Sequence, residues 1–296
     1  MPTDDPYPPA ELLDYVSGVT DPVESRAIAE LYRDLFVRVG GLRPTDRVLE
    51  VGCGTGRIAL PLARHLAGGS YDGFDISPDA VAWCQDHITP RHPHCRFVLA
   101  DVYNEFYQPG GRRRARRYRF PYPTAAFDFV FLTSVFTHML PHDLTHYLTE
   151  IGRVLRPGGR CFATFFLHSP ETAANIRAGR STFRLPHRYG AASRPVGADP
   201  AYGDCLTESP AEVERVVAYE EKWVLDRFAA CGLTPDARPV PGYWSGREGP
   251  SLQDAVTATK TGGVSVGLRA ARLLRAEWLR EWVWRARLGL KVKAAR

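Results

Sequence analysis

From Val48 to Arg57 the chain reads Val-Leu-Glu-Val-Gly-Cys-Gly-Thr-Gly-Arg. A short apolar run that delivers the chain into three alternating glycines makes a turn bare of side chains. A ligand can lie against such a main chain and take hydrogen bonds from the free N–H groups of the helix that follows. Turns that bind dinucleotides space their glycines G-x-G-x-x-G around a pyrophosphate. Here Gly52, Gly54 and Gly56 follow the tighter G-x-G-x-G, and an acid, Glu50, stands two residues before the first. That pattern suits a ligand without a pyrophosphate, carrying instead a carboxylate and an ammonium as methionine-type molecules do.

Two further acids sit at matching places. Asp75 ends a second apolar run, where a carboxylate can accept bonds from both hydroxyls of a ribose; it also stands close enough to Ser77-Pro78-Asp79 to share in capping the next helix. Asp101, in Ala100-Asp101-Val102, ends a third run and can face the edge of an adenine. Each acid alone says little. Three consecutive strand ends loaded with glycines and acids say more, because ligands of open α/β sheets bind at the carboxyl ends of strands.

The elements that must position these residues alternate along the chain. Helical spacing over 22–39 stops at Gly40-Gly41, and strands are expected at 47–51, 71–76, 95–99, 127–132 and 160–167. Helices are expected at 58–66, 79–87, 143–155 and 219–231, with a closing pair of strands bracketing 242–250, the second over 251–260. The expected fold is α/β: a doubly wound, mostly parallel seven-stranded sheet with an antiparallel last strand, helices on both faces, and a C-terminal amphipathic helix. The stretch 108–124 breaks the rhythm as a loop. Segment 168–218, rich in Pro, Gly and Tyr, is expected to be an insertion covering the substrate.

Together these segments resemble the class I, Rossmann-like S-adenosylmethionine-dependent methyltransferases, over roughly 47–260. Phe127-Asp128-Phe129-Val130, Leu155-Arg156-Pro157-Gly158-Gly159-Arg160 and Ser251-Leu252-Gln253-Asp254-Ala255-Val256 carry the rest of the likeness. Thr133-Ser134-Val135-Phe136-Thr137-His138-Met139 is similar to a bacterial subgroup that modifies small molecules and glycans. The resemblance implies S-adenosyl-L-methionine as cofactor, with the three glycines along its methionine and ribose, Glu50 near the ammonium, Asp75 on the ribose, and Asp101 and Val102 at the adenine. Cys53, Ile76, Thr133 and Ser134 complete the implied cofactor site. The domains would then be an N-terminal helical segment (1–40), a methyltransferase domain (41–260, with 168–218 as cap) and a basic tail (261–296).

An alcohol acceptor needs a base to take its proton. His138, in the loop bordering the transferred methyl group, titrates near neutral pH and is the candidate; packing or capping beside the helix near Pro141 is its other reading. His142 and His146, four apart, fit an exposed helix face, and no carboxylate trio accompanies them to make a metal site. No Asn/Asp-Pro-Pro-Tyr or Pro-Cys follows the fourth strand, which disfavours amino groups on nucleobases or glutamine, and cytosine C5, as targets. O-methylation of a small molecule, sugar or glycan remains. His187, Tyr189 and Tyr202 from the insertion, with Tyr243, Trp244 and Arg247 from the final hairpin, are candidate acceptor contacts, since aromatic faces and an arginine fork suit a sugar or an acid; ordinary hairpin packing is the plainer role for Tyr243 and Trp244. A nicotinamide-dependent oxidoreductase and a non-catalytic S-adenosylmethionine-binding protein are the alternatives.

The net charge of +5 over 296 residues is uneven. Segment 261–296 carries nine Lys/Arg against Glu277 and Glu281, so the rest of the chain is slightly acidic and an unsuitable surface for nucleic acid. In the tail Leu274, Trp278 and Trp282 share a helical face, as expected of a helix that lies on an anionic membrane surface or docks on protein. The arginines at 112, 113, 114, 116, 117 and 119 make a basic loop that can meet phosphates or simply be solvated. Six scattered cysteines without a C-x-x-C pair, and no apolar signal or spanning segment, lead to an expected reducing, cytoplasmic location.

Overall fold

The computed structural model describes residues 6–17, 19–190 and 205–261. Helix α1 (Ala10–Ser17) precedes α2 (Pro22–Leu35), which starts where the Asp21 carboxylate accepts from the Val23 N–H and Pro22 fills a position needing no donor. Helix α2 continues into a wider turn, Phe36–Gly40. That turn places Phe36, fully buried, against Phe129, Phe131 and Phe162.

The central strands are β1 (Arg47–Val51), β2 (Ser70–Asp75), β3 (Cys95–Leu99), β6 (Phe127–Leu132) and β7 (Leu155–His168). They lie in the order β3-β2-β1-β6-β7, all parallel. Strand β12 (Asp254–Lys260) runs antiparallel to β7, from Asp254 opposite Phe165 to Thr259 opposite Arg160, and β11 (Leu233–Pro235) runs antiparallel to β12. These seven strands are the expected α/β sheet with its antiparallel last strand, and three more extend it to ten among the described residues. Side chains alternate across it. Val48, Phe129, Phe131 and Phe162 face a core shared with α2 and with helices α3 (Ala59–His65) and α4 (Pro78–His87). Leu49, Val51, Val130 and Leu132 face the core of α5 (Pro141–Val154) and α7 (Glu221–Ala230). Burial on both faces is why these strands read as unbroken apolar runs.

Three departures bear on function. The described parts of the expected insertion carry regular structure: α6 (Pro170–Arg177) opens on a reciprocal cap between Ser169 and Thr172, and strands β8 (His187–Tyr189), β9 (Cys205–Thr207) and β10 (Val217–Glu220) form a small ladder whose β10 extends the end of β7. The loop after β3 forms a two-stranded patch, β4 (Val102–Tyr103) with β5 (Arg113–Arg114), which clips the arginine run to the body. The strand expected just ahead of the final turn is a single bridge, Val240 to Ala255; β12 pairs with β7 over 254–259 and with the short β11 over 258–260. Tyr202 and the amphipathic helix expected in the tail lie outside the described residues. No described helix is long and apolar enough to cross a membrane.

Candidate active site

The order of the parallel strands reverses between β1 and β6, and the crevice beyond their carboxyl ends is where such sheets take ligands. The glycine turn leaves β1 there. Gly52, Gly54 and Gly56 have φ of 76°, 50° and 71°, a left-handed backbone that side chains resist. A Cβ at Gly52 would also overlap Val135 Cγ2, so the loop after β6 lies directly on the turn. Cys53 is buried, its Cβ close to where a Gly73 side chain would start.

Asp75 braces the same turn. One carboxylate oxygen accepts from the Gly54 N–H at 2.7 Å and the other from the Ser77 N–H at 2.9 Å. Ser77 in turn caps α4. Asp75 is thus joined to the turn and to the cap at once, while each oxygen keeps acceptor capacity. Glu50 is almost wholly buried at the end of β1 and is met by the Tyr71 hydroxyl, which donates to it. Burial outweighs that bond and the nearby Arg57 charge, and pushes its carboxyl up from 4.5 to about 8. A buried acid of this kind is a place for a cation.

Asp101 lies where the chain leaves β3, but both of its oxygens are taken by Arg112: the main-chain N–H at 3.0 Å and Nε at 2.6 Å. The carboxylate expected at an adenine edge therefore also holds the basic loop. Val102 is buried beneath it, and the Ile76 carbonyl accepts from Gln108 Nε2. The other arginines are partly engaged as well. Arg114 stacks on Tyr103 at 4.2 Å, and Arg116 meets both Asp143 and His142. His142 and His146 are accordingly under the loop, His146 bonded to the Tyr118 carbonyl, and are not the exposed face expected of them.

Beyond β6, Thr133 is half-buried and Ser134 exposed, the latter at φ 60°, which is uncommon for a residue with a side chain. His138 ends a short 3-10 turn, Phe136–His138. Its Nδ1 donates to the Glu214 carbonyl at 3.2 Å, and the Arg215 main chain also faces the ring. Burial lowers the imidazole below its ordinary value, so it is uncharged near neutral pH. Tyr107 lies edge-on to it at 5.4 Å. Glu214, which no motif singles out, accepts from Asn104 Nδ2 at 3.3 Å. Burial and the neighbouring Asp143 raise its carboxyl to about 7. A short aperiodic stretch between Pro210 and Val217 hides such a residue from any pattern.

The acceptor contacts expected from the final hairpin take other roles. Trp244 is completely buried against Phe166, with its indole N–H donated to Asp254 at 2.7 Å. Arg247 gives its guanidinium to the same carboxylate. Asp254 also accepts from the N–H groups of Gly242 (2.7 Å) and Leu167 (2.8 Å). Trp244 and Arg247 thus neutralise and saturate a buried acid; the sequence spacing looked like a pocket because it brings the same side chains onto β12. Tyr243 is half exposed. His187 is exposed and Tyr189 half-buried on β8. Among the described residues no group of His, Cys, Asp and Glu gathers as a metal site.

Residues 48–159 match the methyltransferase domain family. The chain is 36% identical over 115 residues to the phthiotriol/phenolphthiotriol dimycocerosates methyltransferase of Mycobacterium leprae, covering 38% of this chain and 35% of that protein. Over a stretch of 115 residues it is also 36% identical to the fatty-acid O-methyltransferase of Mycolicibacterium smegmatis, covering 38% and 34%. The chain spans about a third of the length of these relatives. Its structure aligns with a Burkholderia thailandensis 1,6-didemethyltoxoflavin-N1-methyltransferase, solved with 1,6-didemethyltoxoflavin and S-adenosylhomocysteine, at a TM-score of 0.51 and 20% identity, covering 88% of this chain and 94% of that one. At that identity the likeness is one of fold.

Proposed function

With residues 48–159 forming a class I, S-adenosylmethionine-dependent methyltransferase domain, we propose that the chain methylates an oxygen of a small molecule with a lipid-like body. The observation that carries this is the glycine turn beside Glu50: a bare main chain at positive φ next to a buried carboxyl raised to about 8. Such a pair fits the amino-acid end of S-adenosylmethionine, whose ammonium supplies the charge that lets Glu50 ionise. Asp75, held in place by the Gly54 N–H, would hold the ribose side. When bound, that cofactor supplies an electrophilic methyl group on a positively charged sulfur.

The chain's own residues do the rest. The glycine turn and Val135 align the two sides of the crevice, which is most of what an in-line transfer asks of a protein. His138, uncharged and anchored on the 213–215 turn, is the group that takes a hydroxyl proton. Tyr107 and the neighbouring Phe106, which is 53% exposed, offer an apolar rim beside it. The two relatives, one named for phthiotriol/phenolphthiotriol dimycocerosates and one for fatty acids, support a lipid-like acceptor and an oxygen target.

A labelled-methyl transfer screen over free fatty acids, phenolic lipids and glycolipids tests the reading. Turnover of a phenolic or sugar hydroxyl with wild type, lost in His138→Ala while S-adenosylhomocysteine still binds, supports both the acceptor class and the base; a fatty acid, already ionised, reports the acceptor class alone. Full turnover in His138→Ala removes the base assignment. Failure of the wild type to bind S-adenosylhomocysteine removes the methyltransferase reading itself.

A further inference from the structure

The exposed Ser134 hydroxyl is tied to a closed circuit of buried polar groups that the reaction as described leaves unused. The Ser134 N–H donates to Thr164 Oγ1 at 2.8 Å. Thr164, fully buried on β7, gives its own proton to Gln253 Oε1 at 2.6 Å. Gln253, buried just ahead of β12, then donates from Nε2 to Ser134 Oγ at 2.9 Å. The opposite orientation of the Gln253 amide would leave the Thr164 proton without this acceptor inside the core, which is costly. Thr137, also fully buried, has its hydroxyl 3.4 Å from Ser134 Oγ, and either of the two hydroxyls can donate to the other.

A hydroxyl has two lone pairs and one proton. With Gln253 on one lone pair and Thr137 able to donate to the other, the Ser134 proton is what the hydroxyl can offer a ligand, and the residue is held at φ 60° at the tip of β6, one position from the Val135 side chain that packs on Gly52. Backbone of this kind is retained where the surroundings enforce it, and it concentrates at functional sites. We propose that Thr164 and Gln253 are positioning residues that make the Ser134 hydroxyl a one-way donor into the crevice, directed at a carboxylate oxygen of a molecule bound there. This rests on the crevice being the cofactor site. Two molecules offer that chemistry: the cofactor through its amino-acid end, and a carboxylic acid acceptor. For the same reason Ser134 does not act as a base.

Gln253→Glu is nearly isosteric and separates polarity from packing. Ionised, its carboxylate only accepts, so it draws the Ser134 proton away from the crevice. Protonated, it accepts from Thr164 and donates to Ser134 as the amide does. Calorimetric binding of S-adenosylhomocysteine and methyl transfer to dodecanoate are measured for wild type, Gln253→Glu, Ser134→Ala and the double variant, with thermal melting as the check on folding. A charge-assisted hydrogen bond predicts a loss of about ten- to a hundredfold in each single variant near pH 8, no further loss in the double, and recovery of Gln253→Glu relative to wild type as the pH falls to about 6. The loss falling on S-adenosylhomocysteine affinity assigns the carboxylate to the cofactor. Loss in KM for dodecanoate alone assigns it to the acceptor. Variants that bind like wild type and either match its turnover or find no dodecanoate turnover to compare overturn the proposal, as does a loss in Gln253→Glu that acid does not relieve. A wild type that fails to bind S-adenosylhomocysteine strikes the cofactor site and not the circuit.

Discussion

Glu50→Gln is expected to make the empty protein more stable and the cofactor bind less well. Burial raises this carboxyl from 4.5 to about 8. At pH 7 the folded chain without ligand therefore keeps a proton that the unfolded chain has released. Stability drawn from this group is complete below about 4.5, falls as pH climbs, and levels off above about 8. At pH 7 the penalty is about 3 kcal/mol, from roughly 2.5 pH units at about 1.4 kcal/mol each. Glutamine carries no such penalty and can still accept from Tyr71. The variant should melt several degrees above wild type at about pH 8, with the gap closing near pH 4.

Binding moves the other way. If the Glu50 carboxylate meets an ammonium, affinity follows the ionised fraction of Glu50, which grows about ninefold between pH 6 and pH 7. Over that interval the ligand's own amine stays charged, its usual value being about 7.7–8.0. Titration calorimetry with S-adenosylhomocysteine should show that rise in wild type, with close to one proton released to buffer per ligand bound, and a weak, nearly flat profile in Glu50→Gln. A variant with the wild-type melting temperature at pH 8 and the wild-type slope of affinity against pH would refute the argument, because neither the buried penalty nor the cation would then be real.

Gly52→Ala meets both a left-handed φ, worth about 1–2 kcal/mol, and the Val135 side chain; S-adenosylhomocysteine affinity should drop at least about tenfold. Adding Val135→Ala should recover part of the lost stability, read by thermal melting. Asp254→Ala leaves the Arg247 guanidinium, the Trp244 indole N–H and two main-chain N–H groups without their acceptor. The cost should be about 3–5 kcal/mol in urea unfolding. Trp244→Phe, which removes one bond to the carboxylate, should cost about 1.5–3 kcal/mol. Turnover lost in Trp244→Phe with stability intact would instead return Trp244 to the acceptor pocket.

The central sheet was legible because its signals are local. The apolar runs at β1, β6 and β7, the Ser77-Pro78 and Pro22 helix starts, and the glycines after β1 each follow from a few adjacent residues. What was illegible depends on partners far along the chain. Nothing near Asp101 announces that Arg112 will close on it, since the pairing depends on a short ladder between β4 and β5. His142 and His146 have the spacing of an exposed face, yet the arginine loop packs over them. The β8–β9–β10 ladder comes from strands of three or four residues, too short to show a period. Gln253 stood inside a recognised segment, but its partners are Thr164, 89 residues away, and Ser134, 119 residues away.

The same distinction separates the two most buried acids of the sheet. Burial raises the Asp254 carboxyl as well, but four donors from Gly242, Trp244, Arg247 and Leu167 act against it, and nothing about it asks for a ligand. Glu50 lies at the end of the neighbouring parallel core, met by the Tyr71 hydroxyl and facing a turn without side chains, and its carboxyl rises to about 8. A carboxylate taken out of water is tolerable when hydrogen bonds replace the water, and stays protonated when they do not. Saturation therefore marks Asp254 as a strut for the final hairpin. Its lack marks Glu50 as a site that a cation completes, and the pH dependence of binding is the consequence that tells the two apart.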